Sequence, residues 1–517
     1  MKISIKRTFK LLTVGLSLIL LASCSSRPEN LALVPKDTNF IATTNLTSIA
    51  TKGGMQNLEQ FNFYKSFGKE MTKESPIMKK MVENPFFTGI SYTSDILMFP
   101  IDQKIVCISI DLSSGEKFTA FVDEMIKESG MPMKIEDKEN FKSVSLQGAM
   151  MLAWDDTKAL MAMPSGMGLA DLDAETTRLF NLKESENINS NKEFDTFYDE
   201  KRDLNVWMST QFIEDLPMGT MMMSQMPNYM KNNFISMHLG FESDQIIVSS
   251  AFSPNSNMVK EMKKYNIYGN GFNSDLLKYF PKDSYVSISG AVNPEGYYDM
   301  MTSQPQFEEA MKMVSPEIAT EIEGILQSFK GSMLFSIHGF DTSSAEPMPL
   351  MTLAFDMNDS EKIDSLMTTV PTETYSKVDG YYTMELEEGI SAYMIYDDKM
   401  GMVTNDKSRI DAFKNGGESG KNLGDSDIAS KIKNNAMYMQ MNAKMDDYPA
   451  NIQSLISQGA GIDLMQNINQ YFTGMEVYAT DDYKGEYIIY TGEDGTNSLF
   501  KMIKAIDDNI FALMGAF

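Results

Sequence analysis

The chain has 517 residues with 71 acidic against 45 basic side chains, a formal charge of −26, and a field of that sign repels nucleic acid and anionic head groups. Only two histidines and two cysteines are present, which argues against the common zinc sites, since these gather several His or Cys ligands at short spacing. The length predicts two or more domains, each large enough to be held by its own core.

The first ten residues carry Lys2, Lys6, Arg7 and Lys10 and no acid, and Leu11 to Leu21 follow as an unbroken weakly polar-to-apolar run. This charge pattern predicts a secretory signal over residues 1–23. The run is too short to cross a bilayer core, which takes about 20 helical residues. Leu21-Ala22-Ser23-Cys24 then resembles the lipobox of bacterial lipoproteins. That resemblance implies cleavage before Cys24, acylation of its thiol and a membrane as the first partner. More than one acyl chain makes such an anchor stable. Loss of the signal removes four positive residues and takes the charge from −26 to −30. Cys107 is then the one other cysteine of the mature chain, and no internal disulfide can form once Cys24 is acylated. Residues 24–33 form a lipidated leader. Its Ser25-Ser26-Arg27-Pro28-Glu29 lacks the acidic run that resembles a surface-export signal, so an outer-membrane anchor facing the periplasm is expected.

Beyond the leader, Val34-Pro35-Lys36-Asp37-Thr38 forms a turn that opens an alternating strand from Phe40 to Asn45. Ile105 to Leu112 alternates in the same way. Glu116 to Glu128 places Phe118, Phe121, Val122, Met125 and Ile126 on one helical stripe. Asp155-Asp156-Thr157-Lys158 lies between short apolar runs, where Asp favours a hairpin turn. Gln245 to Phe252 is a further strand, and Gly and Asn cluster from Tyr268 to Ser274 as a boundary.

The series then begins again. Phe280-Pro281-Lys282-Asp283-Ser284 repeats the opening turn at an offset of 246, and Leu353-Ala354-Phe355-Asp356 repeats Ile108-Ser109-Ile110-Asp111 at 245. Tyr396-Asp397-Asp398 repeats Trp154-Asp155-Asp156, and Asn497-Ser498 repeats Asn255-Ser256, both at 242. Ser360 to Met367 supplies the matching helix with Ile363 and Leu366. Self-similarity in constant order and spacing predicts a duplication, with a first repeat over residues 34–270 and a second over 275–517. The expected class is α+β, each repeat a largely antiparallel sheet with helices packed on one side.

The lipobox, the short polar leader and the Pro-Lys-Asp turn opening Phe40-Ile41-Ala42-Thr43-Thr44-Asn45-Leu46-Thr47-Ser48-Ile49 together resemble a lipoprotein family of the Bacteroidetes group, catalogued as domain of unknown function 4836. The likeness covers nearly the whole mature chain. It implies compartment and organisation, and neither an activity nor site residues.

Chemistry is sparse in the residues themselves. His238 and His338 stand 100 apart, at positions the repeat does not equate, and read as strand histidines. No Gly-x-Ser-x-Gly elbow occurs in the mature chain. Lys414 to Asn422 departs from a P-loop at Asn415 and Asn422, and Asp171-Leu172-Asp173-Ala174-Glu175 departs from a calcium loop at Thr176 and Leu182. Asp155-Asp156, Asp397-Asp398, Asp446-Asp447 and Asp481-Asp482 are the carboxylate pairs a glycosidase would need, all at turn-like places. The unusual feature is methionine, 45 residues, densest at Met218, Met221, Met222, Met223, Met226 and Met230. Thioethers can select Cu(I) or form an adaptable apolar surface, or simply pack. The matching segment Ile452 to Ile468 keeps apolarity in Leu455, Ile456, Ile462, Leu464 and Ile468 with one methionine, Met465, which favours packing over copper. The expected function is therefore a non-enzymatic binding or scaffold module on a membrane, without cofactor or metal. A carrier or chaperone for a lipid or peptide at the Met-rich surface stands second, and an envelope hydrolase using paired carboxylates third. An envelope protein or an apolar ligand would be the partner.

Overall fold

A computed structural model describes residues 27–68, 75–102, 104–146, 148–166, 170–215, 231–268, 271–303, 324, 326, 328–343, 347–369, 375–386, 390–417, 421–459, 471–480 and 483–515. The chain divides into two compact units, the described residues of Met1–Thr47 with Met71–Asp199, and those of Ser48–Glu70 with Glu200–Phe517. The class is α+β, with antiparallel pairing at every described ladder.

The first unit contains β1 (Phe40–Asn45), β2 (Asp95–Ile101), β3 (Ile105–Asp111), β4 (Glu136–Asp137), β5 (Lys142–Leu146), β6 (Met150–Trp154) and β7 (Lys158–Pro164). They pair in the order β1-β2-β3-β7-β6-β5-β4. Strand β3 shows why. Ile105, Cys107, Ser109 and Asp111 are buried and alternate with half-buried Val106, Ile108 and Ile110, the period-two signature of a sheet loaded on both faces. The helix Gly115–Ser129 starts where the Ser114 hydroxyl accepts from the Lys117 N–H and stops at Gly130, with φ of 66°. Its Phe118, Phe121 and Val122 pack with Leu112, Val144, Trp154 and Ala159. Beneath the opening turn, buried Asn30 donates its side-chain amide to the carbonyls of Asp95 and Ser109, and its N–H to Asp111.

The second unit contains β8 (Leu204–Ser209), β9 (Phe234–Glu242), β10 (Gln245–Ser253), β11 (Val286–Ala291), β12 (Phe329–Asp341), β13 (Met348–Met357), β14 (Tyr375–Val378), β15 (Tyr381–Glu385), β16 (Ser391–Tyr396), β17 (Met400–Thr404), β18 (Met437–Asn442), β19 (Gly474–Ala479) and β20 (Lys484–Tyr490). Their order is β8-β9-β10-β20-β19-β18-β11-β12-β13-β17-β16-β15-β14. The stretch β11-β12-β13-β17-β16-β15-β14 has the pairing order of the first unit, and β18-β19-β20 has that of β8-β9-β10. Pro35 bridges Asn187 in the first unit, and Pro281 bridges Asn422 in the second.

One face of this second sheet carries the core. Leu334, Ala354, Met402, Ile395 and Tyr438 point into it and meet Leu276, Leu277 and Phe280, Ile410 and Phe413 of the helix Lys407–Lys414, and Ala429 and Ile432 of the helix Ala429–Asn434. The faces alternate along every strand, so the neighbours of these residues point the other way.

Candidate functional site: the apolar face of the second sheet

Residues directly opposite one another in an antiparallel ladder share a face, so the registers can be followed from strand to strand. Starting at Leu204, the partners run Leu239, Val248, Tyr487, Val477, Met439, Ile288, Phe335, Leu353, Val403, Met394 and Tyr382. This row crosses twelve strands without a charged, amide or aliphatic hydroxyl side chain. One register step away a second row runs Phe241, Ile246, Ile489, Met475, Met441, Val286, Ile337 and Met351, again wholly apolar.

These rows lie opposite the packed core. Phe241, Val477 and Tyr382 are buried, the last beside Tyr396, which donates to Asp364 of the helix Ser360–Thr369 that covers this end of the face, and other members are open. Tyr487, Ile288, Leu353 and Met351, with the neighbouring Met333 and Met437 on the same face, are between 36% and 53% exposed. At about 4.8 Å per strand the nine strands from Leu204 to Leu353, short of the end that the helix covers, extend roughly 40 Å. Monomeric proteins seldom show contiguous apolar patches beyond a few hundred Å², so a strip of this length calls for something to cover it. Every strand between β8 and β14 in the sheet order is paired on both sides, so the backbone there offers no hydrogen bonds to a visitor.

The buried face is polar where the apolar face is not. The row Glu476, Gln440, Ser287, Ser336, Thr352 and Thr404 runs beneath it. At its end a cavity of about 680 Å³ is lined by Glu476, Gln440, Tyr285, Tyr490, His338 and Lys282, among others. Glu476 pairs with Lys431, and burial together with the Glu476 charge pushes the Tyr490 hydroxyl up to about 12. His338 holds Thr352 Oγ1 at 3.0 Å and has Asp406 4.0 Å from Nδ1. That order resembles a catalytic relay, but Thr352 is fully buried, no substrate can reach its hydroxyl, and the arrangement is structural. His238 is likewise buried, 3.0 Å from Asn205 Oδ1. Desolvation lowers the pKa of both histidines.

The residues singled out in the sequence fall as follows. Cys24, Met218, Met221, Met222, Met223, Met226, Met230 and the pair Asp481-Asp482 lie outside the described residues. Asp155 closes the β6–β7 hairpin, its Oδ1 accepting from Thr157 and Lys158 N–H and its carboxylate pairing with Lys158 at 2.6 Å. Burial raises its pKa, but these partners outweigh burial and hold it below the ordinary value. Asp397 does the same for β16–β17, accepting from Lys399 and Met400 N–H. Asp171 caps the helix Leu172–Phe180 through the Ala174 N–H. Asp447 accepts from the Asn442 amide. These carboxylates are engaged in turns and caps. The apolar rows were missed by sequence reasoning, although period two in Gln245 to Phe252 gave one strand's share of them.

No curated protein matches the chain. Among solved structures, crystal form III of TP0453 is similar at 9% identity over 48% of this chain and 90% of that one, and crystal form I at 8% over 47% and 87%. The TM-score is 0.26 in both cases, too low to carry an argument. Over residues 30–499 the chain matches the family model described as domain of unknown function (DUF4836), and it belongs to that family.

Proposed function

We propose that the chain is a membrane-tethered, non-enzymatic binding module of the cell envelope, with the apolar face of the second sheet as its receiving surface. The observation that carries this reading is the row from Leu204 to Leu353, an uncharged strip on the side of the sheet opposite its core. The tether is read from Cys24 and its lipobox, and the outer membrane facing the periplasm is the proposed address. The recurring strand order and the repeated Pro-Lys-Asp turn support a duplicated origin, with β10 and β20, the last strands of the two copies, lying side by side.

The test uses a single introduced thiol. Cys107 is fully buried, so Leu353→Cys gives one reactive cysteine on the row once Cys24 is acylated. Labelling is compared between intact envelopes and the purified protein. Protection in the envelope that disappears on purification is the expected result. Equal, rapid labelling in both would mean that nothing occupies the face and would overturn the reading. Protease treatment of whole cells should leave the chain intact if it faces the periplasm.

A further inference from the structure

The receiving surface is selective about what can lie on it. We infer, resting on the reading above, that its occupant is hydrocarbon: the acyl chains of a diacyl phospholipid with a net-neutral head group, drawn from the membrane to which the chain is tethered.

Three properties of the face lead there. First, from Leu204 to Leu353 the one polar side-chain atom of the rows is the Tyr487 hydroxyl, the row meeting charge only at its far edge, where Lys377 of β14 bonds buried Tyr382, and its backbone is consumed by strand pairing. Protein interfaces form about one hydrogen bond per 100–200 Å² and are anchored by Trp, Tyr and Arg. These rows contain neither Trp nor Arg and one exposed tyrosine, Tyr487, and a protein partner would leave most of its own polar groups unsatisfied against them. Acyl chains make no such demand. Second, methionine recurs along the rows at Met439, Met441, Met475, Met351 and Met394. Unbranched thioethers adapt their shape, which suits chains of varied length and unsaturation. Third, charge selects the source. The net charge of the tethered chain, −26 with the four positive residues of the signal removed and so −30, opposes a second copy of this chain lying face to face with the first, and it repels anionic lipids, leaving a neutral head group as the compatible one.

The experiment reconstitutes the full acylated protein through its own anchor into phosphatidylethanolamine/phosphatidylcholine vesicles whose acyl chains are brominated, since bromine quenches a fluorophore only at contact. An environment-sensitive fluorophore is placed at Leu353→Cys, at Met437→Cys and, as a control, at Lys433→Cys on the helix Ala429–Asn434 that packs on the opposite face. Two face positions are used so that a misfolded variant does not decide the result, and each labelled protein is first shown to unfold cooperatively. Loss of most of the emission at 353 and 437, with little change at 433, is expected. Equal quenching at all three would mean general adsorption to the bilayer and would overturn the inference. Blue-shifted, unquenched emission at 353 and 437 would mean that the chain covers its own face, overturning the inference and the receiving-surface reading together. Red-shifted, unquenched emission, combined with the protection of 353 in intact envelopes described above, would assign the face to a protein partner; the reading would stand and the lipid would fall.

Discussion

Lys501 Nζ lies 2.8 Å from Asp244 Oδ1 and 2.7 Å from the Thr491 carbonyl oxygen, in a lysine whose side chain is 6% exposed. Asp244 occupies the β9–β10 turn at φ of 62° and also accepts from the Gly495 N–H at 2.8 Å. This ion pair, together with the backbone bonds that Asp244 makes to Thr491 and Thr496, fastens the first hairpin of the second unit to the segment that follows β20. Burial alone would lower the lysine pKa, but Asp244 and Asp494 outweigh it, and the net shift is upward. A raised lysine pKa contributes stability that is present below the unfolded value near 10.5 and is lost as pH rises through the folded value. Lys501→Met should therefore cost about 2 kcal/mol near neutral pH, less than the roughly 3–5 of a fully buried pair because Asp244 is partly exposed. The cost should shrink at strongly alkaline pH. Chemical unfolding of both proteins across that range checks the sign.

The two histidines set the acid limb. Both are buried and their pKa is pushed below the ordinary 6.5. A depressed pKa contributes stability that is present above the unfolded value and is lost as pH falls through the folded one. Unfolding midpoints should fall from about pH 6.5 downward, each histidine supplying at most about 1.4 kcal/mol per pH unit. The double variant His238→Gln with His338→Gln should show a flatter profile between about pH 7.5 and pH 5.5. An unchanged slope would show that other groups set it.

Cys107 sits on β3 with its thiol pushed up to about 12, chiefly by burial and further by Glu175. Thiolate is the reactive form. Maleimide at neutral pH should leave it unmodified in the folded protein and label it fully in denaturant, which mass spectrometry reads directly.

Backbone geometry gives a contrast between two glycines. Gly331 in β12 has φ of 128°, and a Cβ there would stand 2.0 Å from the Val292 carbonyl oxygen. Gly130 has φ of 66° and open space around it. Gly331→Ala should cost about 3 kcal/mol, combining strain and a backbone clash, and Gly130→Ala about 1 kcal/mol from the left-handed conformation alone. Thermal unfolding of the two variants measures the difference.

Much of the fold is local and could be read locally. The expected strands Ile105 to Leu112 and Gln245 to Phe252 correspond to β3 and β10, and the helix expected from Glu116 to Glu128 extends one residue at each end, between Ser114 and Gly130. Asp155 was legible as a turn residue because its hydrogen bonds reach only two and three residues along the chain. The apolar face was not legible, for a physical reason. Period two says which residues share a face within a strand, but not which strand lies beside it, and Val248 meets Tyr487 across 239 residues of chain. The methionines of that face are dispersed among strands at Met439, Met475 and Met394, so the dense run from Met218 to Met230 drew attention in their place.

The two faces of the second sheet should respond oppositely to the same change. Leu334 on β12 is fully buried in the core, whereas Leu353 on β13 is 36% exposed on the apolar row. Truncating a buried leucine removes transfer energy and leaves a cavity, at a cost of about 2–5 kcal/mol. Truncating one that is already over a third exposed loses only part of that transfer energy and opens no closed void. Leu334→Ala should therefore lower the unfolding midpoint of the purified protein by several times as much as Leu353→Ala, whose cost should stay below about 1 kcal/mol. Function should rank them the other way. The fluorophore at Met437→Cys should lose part of its quenching by brominated acyl chains in the Leu353→Ala background and keep it in Leu334→Ala at a temperature where both are folded. If quenching instead follows stability, the apolar row owes its residues to folding, and the receiving surface must be sought elsewhere.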